Sequence, residues 1–397
     1  MPISITNQGI RPGVCLSTAK PESPFIGQVI YMSDTDETAV WEGTYWEGLN
    51  RSKDRNVVIN GAMQVHQRGT STTSITTENL YTADRWRTVI SSLGTWTQTV
   101  ENDAPTGSGF RKSLKMNCTT ADASPSANDY LTIATKLEGQ NVQHFLKGTA
   151  SAKQFSLSFW VKSNVTGTYI AELIDNDNSR RVSASYSVSA SATWEKKMIT
   201  FPADTTGVLD NDNAASLDVN FWLGAGSTFT GGSPLQTTWG TATNTRATGQ
   251  TNLAAATNNY WQITGVQLEA GSVATPFEFE DYGTTLAKCQ RYYYLHLSGV
   301  NVVVMDFSYY NASYAVGTMR FPVTMRATPT LNATSGVDYY YFYRNNGFDN
   351  FDTLLFTAGS TNAGQVYSDV GMSGTAGQAG WLETKSPLAS IAFSAEL

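Results

Sequence analysis

Aromatic residues crowd one short stretch of the chain, residues 338–344, which reads DYYYFYR. In a β-strand, successive side chains point to opposite faces. One face would carry Tyr339, Tyr341 and Tyr343, and the other would carry Tyr340 and Phe342. One aromatic face can pack on a core, but the second needs a neighbouring subunit or a sugar ring. Tyrosine suits both because it joins a flat apolar body to a hydroxyl group.

Further aromatic residues in the same part of the chain extend this candidate surface. They include Tyr314, Phe348 and Phe351. Each ring could either be buried, in the core or in a subunit interface, or it could contact a glycan. The residues predicted to bind a glycan or to form a subunit interface are Tyr309, Tyr310, Tyr339, Tyr341, Tyr343 and Trp381.

Two acidic clusters have the oxygen-rich composition of cation loops. The run DNDNS at residues 175–179 alternates oxygen ligands as a calcium loop does. However, Arg180 occupies the sixth position, where the helix-loop-helix calcium motif requires glycine. We expect this run and the similar run at residues 210–213 to be polar turns. We therefore expect no bound metal and no other cofactor.

Residues for catalysis are hard to assemble. Glycoside cleavage needs two carboxyl groups ~5–10 Å apart, and Glu101 or Asp103 could each supply one of them together with another carboxylate. The commoner explanation for acidic residues in loops is that they are exposed to solvent and have no catalytic role. The three histidines, His66, His144 and His296, are far apart in sequence. No nucleophile elbow, phosphate-binding loop or HExxH motif is present. The sequence predicts a protein that is not an enzyme.

The amino-acid composition and net charge argue against several classes of protein. Charged residues are 15% of the chain, below the ~25% typical of soluble domains, while 41% hydrophobic residues can form a core. The net charge of −7 argues against nucleic acid as a partner, because phosphates need a basic face. The apolar runs are too short for membrane insertion, and we expect no secretory signal. Cys15, Cys118 and Cys289 form no CxxC pair, which indicates free thiols and assembly in a reducing compartment.

The hydrophobic patterning predicts an all-β protein. Short runs of β-branched and aromatic residues, separated by Gly, Asn, Asp and Ser, are typical of strands. Three strands are expected within residues 28–49, eight or nine within 57–269 and a further set within 300–395. Helix is expected only at residues 128–146 and 284–291. The long segment 224–258 is predicted to be a functional loop or one pinned on a neighbour.

These elements group into three predicted domains. Residues 1–54 form a small N-terminal β-meander, too short to bury much by itself. Residues 55–283 form a central jelly-roll β-sandwich. Residues 284–397 form a C-terminal β-sandwich.

Several motifs resemble bacteriophage tail proteins. The run YWQITGVQLEAGSVATPFEFEDYGTTLAKCQRYYY, at residues 260–294, resembles the end of a jelly-roll domain just before a C-terminal domain. TADRW at 82–86, SPLQTTWG at 233–240 and FPVTMRATPT at 321–330 resemble other elements of the same proteins. SPFIGQVIYMSDTDETAVWEG at 23–43 resembles a short module of phage fibres.

The resemblance implies a phage tail fibre or receptor-binding protein with a carbohydrate-binding-module-like jelly roll. It implies a homotrimer that contacts other tail or virion proteins through its N-terminus and host surface polysaccharide through its C-terminal unit. The expected location is the virion, assembled in the host bacterial cytoplasm. Related modules often hold one structural calcium, which keeps that alternative open at the acidic loops. Two other functions stay open, a capsid- or tail-bound structural protein without sugar binding and a glycan depolymerase.

Overall fold

The computed structural model describes residues 12–33, 37–44, 46–48, 55–345 and 347–397, and residues 34–36, 45 and 49 of the segment predicted to hold three strands lie outside these ranges. The chain divides into two compact units, Met1–Arg55 and Asn56–Leu397. The fold is all-β, with a small N-terminal sheet followed by two β-sandwiches, as the sequence predicted. No helix in the described ranges is long and apolar enough to cross a membrane.

The first unit holds a four-stranded sheet in sequence order, whose strands β2 to β4 form the predicted meander. Strand β1, which was not predicted, pairs with β2 in parallel, and the other neighbours are antiparallel. The small core contains Ile30, Met32 and Ala39. The strands are β1 (Gly13–Cys15), β2 (Val29–Met32), β3 (Glu37–Trp41) and β4 (Trp46–Gly48).

The second unit begins with a sandwich of two six-stranded antiparallel sheets. Its strands are β5 (Ser71–Ile75), β6 (Asn79–Leu80), β7 (Arg87–Ser91), β8 (Thr95–Glu101), β9 (Ser113–Thr120), β10 (Tyr130–Glu138), β11 (Phe155–Ser163), β12 (Gly167–Asp175), β13 (Arg180–Val188), β14 (Glu195–Phe201), β15 (Ala215–Ala225) and β16 (Tyr260–Ala270). One sheet has the order β13-β12-β15-β10-β7-β6 and the other the order β14-β11-β16-β9-β8-β5. Large side chains fill the space between them, including Phe221 from one sheet, Phe159 and Trp261 from the other, and Trp86 from the segment before β7.

Short helical segments punctuate this sandwich. They are the 3₁₀ turns Gly139–Asn141, Gln143–Phe145 and Leu253–Ala255 and the single-turn helix α1 (Ser227–Thr230). The helix predicted at residues 128–146 is wrong, because residues Tyr130–Glu138 form strand β10. Leu131, Ile133 and Leu137 alternate into the core. The β-branched residues of this segment, Thr132, Ile133 and Thr135, favour strand over helix.

The prediction that the strands of this domain begin at residue 57 is also wrong, since residues 57–59 belong to a loop. Side chains of asparagines take over the backbone hydrogen bonds that a strand would use. The Asn56 side chain accepts from Val58 N, and the Asn60 side chain accepts from Val65 N. Gly61 lies against β16 so closely that an added Cβ would lie 2.0 Å from the carbonyl oxygen of Val266.

A nine-residue helix joins the two sandwiches. Helix α2 (Tyr282–Gln290) begins two residues before the predicted start. Asp281 caps its N-terminus by accepting a hydrogen bond from Thr284 N at 2.9 Å. Cys289, at its other end, is fully buried, and burial raises the pKa of its thiol. All three cysteines are free thiols.

The second sandwich packs a three-stranded sheet on a seven-stranded one. Its strands are β17 (Tyr293–Ser298), β18 (Val303–Asn311), β19 (Tyr314–Arg320), β20 (Thr330–Ala333), β21 (Tyr340–Arg344), β22 (Gly347–Phe351), β23 (Leu355–Thr357), β24 (Ala363–Ser368), β25 (Ala379–Thr384) and β26 (Ser390–Ser394). The three-stranded order is β17-β26-β20, and the seven-stranded order is β22-β21-β25-β18-β19-β24-β23.

Candidate functional site: an exposed aromatic surface

The alternation of aromatic residues in β21 separates a core face from an outer face. Tyr340 and Phe342 are fully buried. Phe342 packs edge-on against Phe307, with ring centroids 5.2 Å apart, and Tyr340 stacks on Phe351. Tyr341 therefore points away from the core, as does Tyr343 further along the strand. Of the two alternatives for this strand, the structure assigns the core to one face and leaves the other open to a partner.

Four side chains on the outer face of the seven-stranded sheet form what we call the aromatic surface: Tyr341, Tyr343, Phe348 and Trp381. Tyr343 lies opposite Phe348 on one neighbouring strand and opposite Trp381 on the other. Tyr341 stacks on Phe348 with ring centroids 5.1 Å apart, and Tyr343 stacks on Trp381 at 5.5 Å. Phe348 is 53% exposed and Trp381 is 45% exposed.

A pair of opposite charges borders the aromatic surface. Lys385 Nζ lies 2.6 Å from Glu383 Oε1, and it lies 5.0 Å from the ring centroid of Tyr343 and 5.5 Å from that of Tyr341. Trp381 donates its indole N–H to Glu383 at 3.2 Å. The hydrogen bond from Lys385 holds the pKa of Glu383 below its usual range and raises the pKa of Lys385. Both groups stay charged at neutral pH.

This arrangement has the chemistry needed to hold a sugar. Ring faces and edges offer apolar contact to the C–H groups of a pyranose, while phenol, indole, carboxylate and ammonium groups offer hydrogen bonds to its hydroxyls. The sequence indicated three of the four rings as site residues and Phe348 as a neighbour. It gave no role to Glu383 and Lys385. Their spacing of two and four residues after Trp381, on one strand face, was the available signal.

The other predicted site residues lie elsewhere. Tyr309 is only 2% exposed, and its hydroxyl donates to the carboxylate of Asp349, which also pairs with Arg344 at 3.1 Å. Tyr309 therefore supports the β21–β22 hairpin from inside the core. Tyr339 precedes β21 and packs, half-buried, on the core. Neither belongs to the aromatic surface.

Tyr310 belongs to a second group of exposed tyrosines on the same sheet. It is 75% exposed and lies edge-on to Tyr314, with ring centroids 6.1 Å apart. Tyr314 in turn stacks on Tyr367 at 5.0 Å. This group lies towards the turn between β18 and β19, away from the aromatic surface.

The acidic run at residues 175–179 forms a turn between β12 and β13, as expected, and its first carboxylate binds a lysine. Lys147, fully buried, donates to Asp175, lies 3.1 Å from Asp204, and donates to the carbonyl oxygens of Thr206 at 3.3 Å and Gly207 at 2.8 Å. Among the described residues, no group of three or more His, Cys, Asp or Glu side chains could hold a metal ion. An ammonium group thus occupies the position that the composition of the run suggested for a cation.

The carboxylates considered for glycoside cleavage are both bound to lysines. Asp103 accepts from Lys162 at 2.7 Å and from the Trp194 indole at 3.2 Å. Burial opposes ionisation of Asp103, but these hydrogen bonds outweigh it and lower the pKa. Glu101 lies 3.8 Å from Lys115. A lowered pKa favours an ion-pair partner over a proton donor at neutral pH.

The long segment 224–258 is pinned on the first sandwich. Arg246 binds the buried carboxylate of Glu172 through two hydrogen bonds of 2.7 and 2.8 Å. Its guanidinium also lies 5.0 Å from the ring centroid of Trp222 and 5.7 Å from that of Phe229. Of the two alternatives for this segment, the structure shows a pinned loop that covers the outer face of β12 and β15.

Two of the motifs that resemble phage proteins meet at the junction of the sandwiches. The guanidinium of Arg85, in TADRW, lies 3.5 Å from the ring centroid of Tyr292, in the CQRYY run, and pairs with Glu396. Arg291 binds Glu138 through two hydrogen bonds of 2.8 Å. Arg85 therefore lies against both an acid and an aromatic ring. The junction is a set of interlocked ion pairs and cation–π contacts.

Of the comparisons with known proteins, only the comparison with solved structures found matches. No protein-family model and no curated protein matches the sequence. The enzymatically active domain of tailspike protein 4 of bacteriophage CBA120 is similar at 15% identity and a TM-score of 0.30, over 54% of this chain and 21% of that chain. TmCBM61, solved with β-1,4-galactotriose, is similar at 9% identity and a TM-score of 0.29, over 54% and 99%.

The C-terminal family 22 carbohydrate-binding module of Clostridium thermocellum Xyn10B is similar at 9% identity and a TM-score of 0.29, over 56% of this chain and 100% of that chain. At such TM-scores these similarities carry no argument about function. The β-sandwich assignment rests on the strand order of the chain itself.

Proposed function

We propose that this protein binds bacterial surface polysaccharide through the aromatic surface, as the receptor-binding part of a phage tail fibre. The observation that carries the proposal is the exposed cluster of four rings bordered by the Glu383–Lys385 pair. A soluble domain that leaves such rings in water usually has a partner for them. The motifs at residues 82–86, 233–240 and 260–294 support the placement of the protein in a phage tail.

The proposed assembly is a homotrimer that attaches to other virion proteins through the N-terminal unit. A shallow surface of a few rings holds one glycan chain weakly, and several copies would raise the overall affinity without new contacts. The net charge of −7 agrees with a partner that is neither nucleic acid nor an anionic membrane. The proposed location is the virion, after assembly in the bacterial cytoplasm.

A purely structural fibre protein is the competing function. It is favoured by the mutual stacking of the rings, since Tyr341 covers Phe348 and Tyr343 covers Trp381. In that case a neighbouring subunit would bury the exposed edges of the rings, and the assembled oligomer would have no affinity for sugar.

A glycan array separates these two functions. The assembled full-length protein would be applied to an array of bacterial O-antigen and capsular polysaccharides. We expect binding to a subset and about a tenfold loss with Trp381→Ala, because an aromatic contact contributes about 1 kcal/mol beyond its buried area. Tyr310→Ala is the matched control, an exposed ring outside the aromatic surface. An array without any signal, or a Trp381→Ala variant that dissociates the oligomer, would contradict the proposal.

A further inference from the structure

The aromatic surface continues into a row of exposed side chains across the sheet. The strand register places Phe348, Tyr343 and Trp381 side by side on β22, β21 and β25. Trp381 lies opposite Asp306 on β18. Each of these residues points away from the core, with Tyr343 half-buried and the others exposed.

The row then crosses the remaining strands as polar residues. On β18 and β19, the paired residues end at Ser308 and Val316, and Asp306 and Thr318 each lie two residues beyond that pair as exposed side chains. Thr318 pairs with Gln365 on β24. Asp306, Thr318 and Gln365 are all exposed. One half of the row is therefore aromatic, and the other half carries a carboxylate, a hydroxyl and an amide.

We infer that a linear glycan of five or six sugar residues lies across the strands along this row, which we call the transverse row. The inference rests on the proposed function and specifies its ligand. Its members are Phe348, Tyr343, Trp381, Asp306, Thr318 and Gln365.

The dimensions of the sheet carry the inference. Neighbouring strands lie about 4.8 Å apart, so six strands place their outer side chains over about 24 Å. One strand spacing is close to the length of one pyranose ring along a glycan chain, so each strand can meet one sugar. The sheet twists by roughly 20° per strand, and a glycan chain can follow that twist by rotation about its glycosidic bonds.

The change of chemistry along the row favours a glycan over a protein strand or helix. A protein partner would need a broad apolar patch, yet the apolar part of the row ends at Trp381. Sugars present C–H faces to rings and hydroxyls to single polar groups. Asp306 accepts hydrogen bonds from hydroxyls, Thr318 both donates and accepts, and Gln365 does the same through separate atoms.

The dependence of affinity on the length of the glycan fragment tests the inference. The best polysaccharide from the array would be partly hydrolysed, and size-fractionated fragments would be titrated by calorimetry against the assembled full-length protein. We expect affinity to rise by about tenfold or more from two sugars to six, as each further hydrogen bond adds roughly fivefold, and to level off for longer fragments. Equal affinity for two and six sugars would overturn the inference and leave the proposed function standing.

A double variant tests the polar half. Thr318→Ala with Gln365→Ala should weaken binding of six-sugar fragments by about tenfold while leaving two-sugar fragments unchanged, because short fragments occupy the rings. Trp381→Ala should weaken both, and Tyr310→Ala neither, since Tyr310 lies four residues and about 13 Å along β18 from Asp306. Circular dichroism would establish that each variant is folded. An unchanged six-sugar affinity in the double variant would overturn the inference, and absence of any polysaccharide binding by the wild type would overturn it together with the proposed function.

Discussion

Lys147 shows how a single buried charge can take the place of a bound cation. Its ammonium group lies among two carboxylates and two backbone carbonyl oxygens, with no exposure of its side chain. Burial alone would raise the pKa of Asp204, but hydrogen bonds from Arg180, Lys147 and Thr206 lower it to about 2. A depressed carboxylate pKa stabilises the fold above about pH 4, and this contribution is lost as the pH falls towards 2.

Substitution of Lys147 should therefore be costly. Lys147→Met leaves Asp175 and Asp204 as neighbouring carboxylates without their shared ammonium group. We expect the free energy of unfolding to fall by about 3–5 kcal/mol at pH 7, measured by urea denaturation. Lys153→Met, an exposed lysine in the same region, is the control and should change it by less than about 0.5 kcal/mol. Equal effects of the two substitutions on the free energy of unfolding would show that the contacts of Lys147 with the surrounding carboxylate and carbonyl oxygens are not a significant source of stability.

Asp84 has the opposite pH dependence. Burial raises its pKa to about 6, although Arg68 at 3.5 Å and hydrogen bonds from Gln67 favour the charged form. A carboxyl group with a raised pKa stabilises the fold below its unfolded value, near 4, and this contribution is lost as the pH rises through 6. The loss between pH 4 and 7 is about 3 kcal/mol for this group alone.

Asp84→Asn isolates this effect, since the amide does not titrate. We expect the difference in unfolding free energy between wild type and variant to shift by about 2–3 kcal/mol in favour of the variant between pH 4.5 and pH 7. Urea denaturation at both pH values would measure it. Any constant offset reflects lost hydrogen bonds to Gln67 and does not bear on the prediction. Parallel pH curves for the two proteins would contradict it.

At the scale of the elements, Arg246 is one of several residues that hold the loop over β12 and β15, beside the side chains of Gln236, Trp239 and Gln250. Arg246→Met would leave the buried carboxylate of Glu172 without its main partner, although the Trp222 indole still donates to it at 3.1 Å. We expect a loss of about 3 kcal/mol and faster proteolytic cleavage within residues 226–251. Limited digestion with chymotrypsin, which can cleave after Phe229, Leu235 and Trp239, followed by mass spectrometry would locate the cuts. Arg111→Met, an exposed arginine on the same sandwich, should leave the pattern unchanged.

The strands themselves could be predicted because their side chains alternate. The runs at β8, β11 and β16 combine aromatic and β-branched residues with bounding glycines and polar turns. The run at β10 was mistaken for a helix because Leu131, Ile133 and Leu137 fit both periods over a short length. Strand β1 has only three residues and owes its existence to parallel pairing with β2, which no local pattern reveals.

The candidate site was predictable in part for the same reason. Alternation alone separates Tyr341 and Tyr343 from Tyr340 and Phe342. It does not show that Tyr309 lies in the core, since that depends on the hydrogen bond to Asp349 from another strand. The transverse row depends on the arrangement of six strands, through which residues far apart in sequence become neighbours, as Asp306 does with Trp381 and Thr318 with Gln365.

At the scale of the whole molecule, the two sandwiches of residues 56–397 are coupled by buried charges. Arg68 lies 3.6 Å from the ring centroid of Tyr293 and 3.0 Å from Glu396, so the first sandwich binds both the beginning and the end of the second. The Gln67 side chain adds hydrogen bonds to the backbone of Tyr293 and Leu295. Side-chain contacts therefore join the two sandwiches in addition to helix α2.

This coupling predicts a single cooperative unfolding transition for the two sandwiches. In Arg291→Met, the buried carboxylate of Glu138 loses two hydrogen bonds of 2.8 Å at the centre of the joint. We expect a loss of about 3 kcal/mol from the coupling and the appearance of two resolved transitions in differential scanning calorimetry. The exposed arginine variant Arg111→Met should retain the wild-type profile. If Arg291→Met lowers the melting temperature but keeps one transition with equal calorimetric and van't Hoff enthalpies, the joint is held by the remaining contacts of Arg85 and Arg68, and the role assigned to Arg291 is wrong.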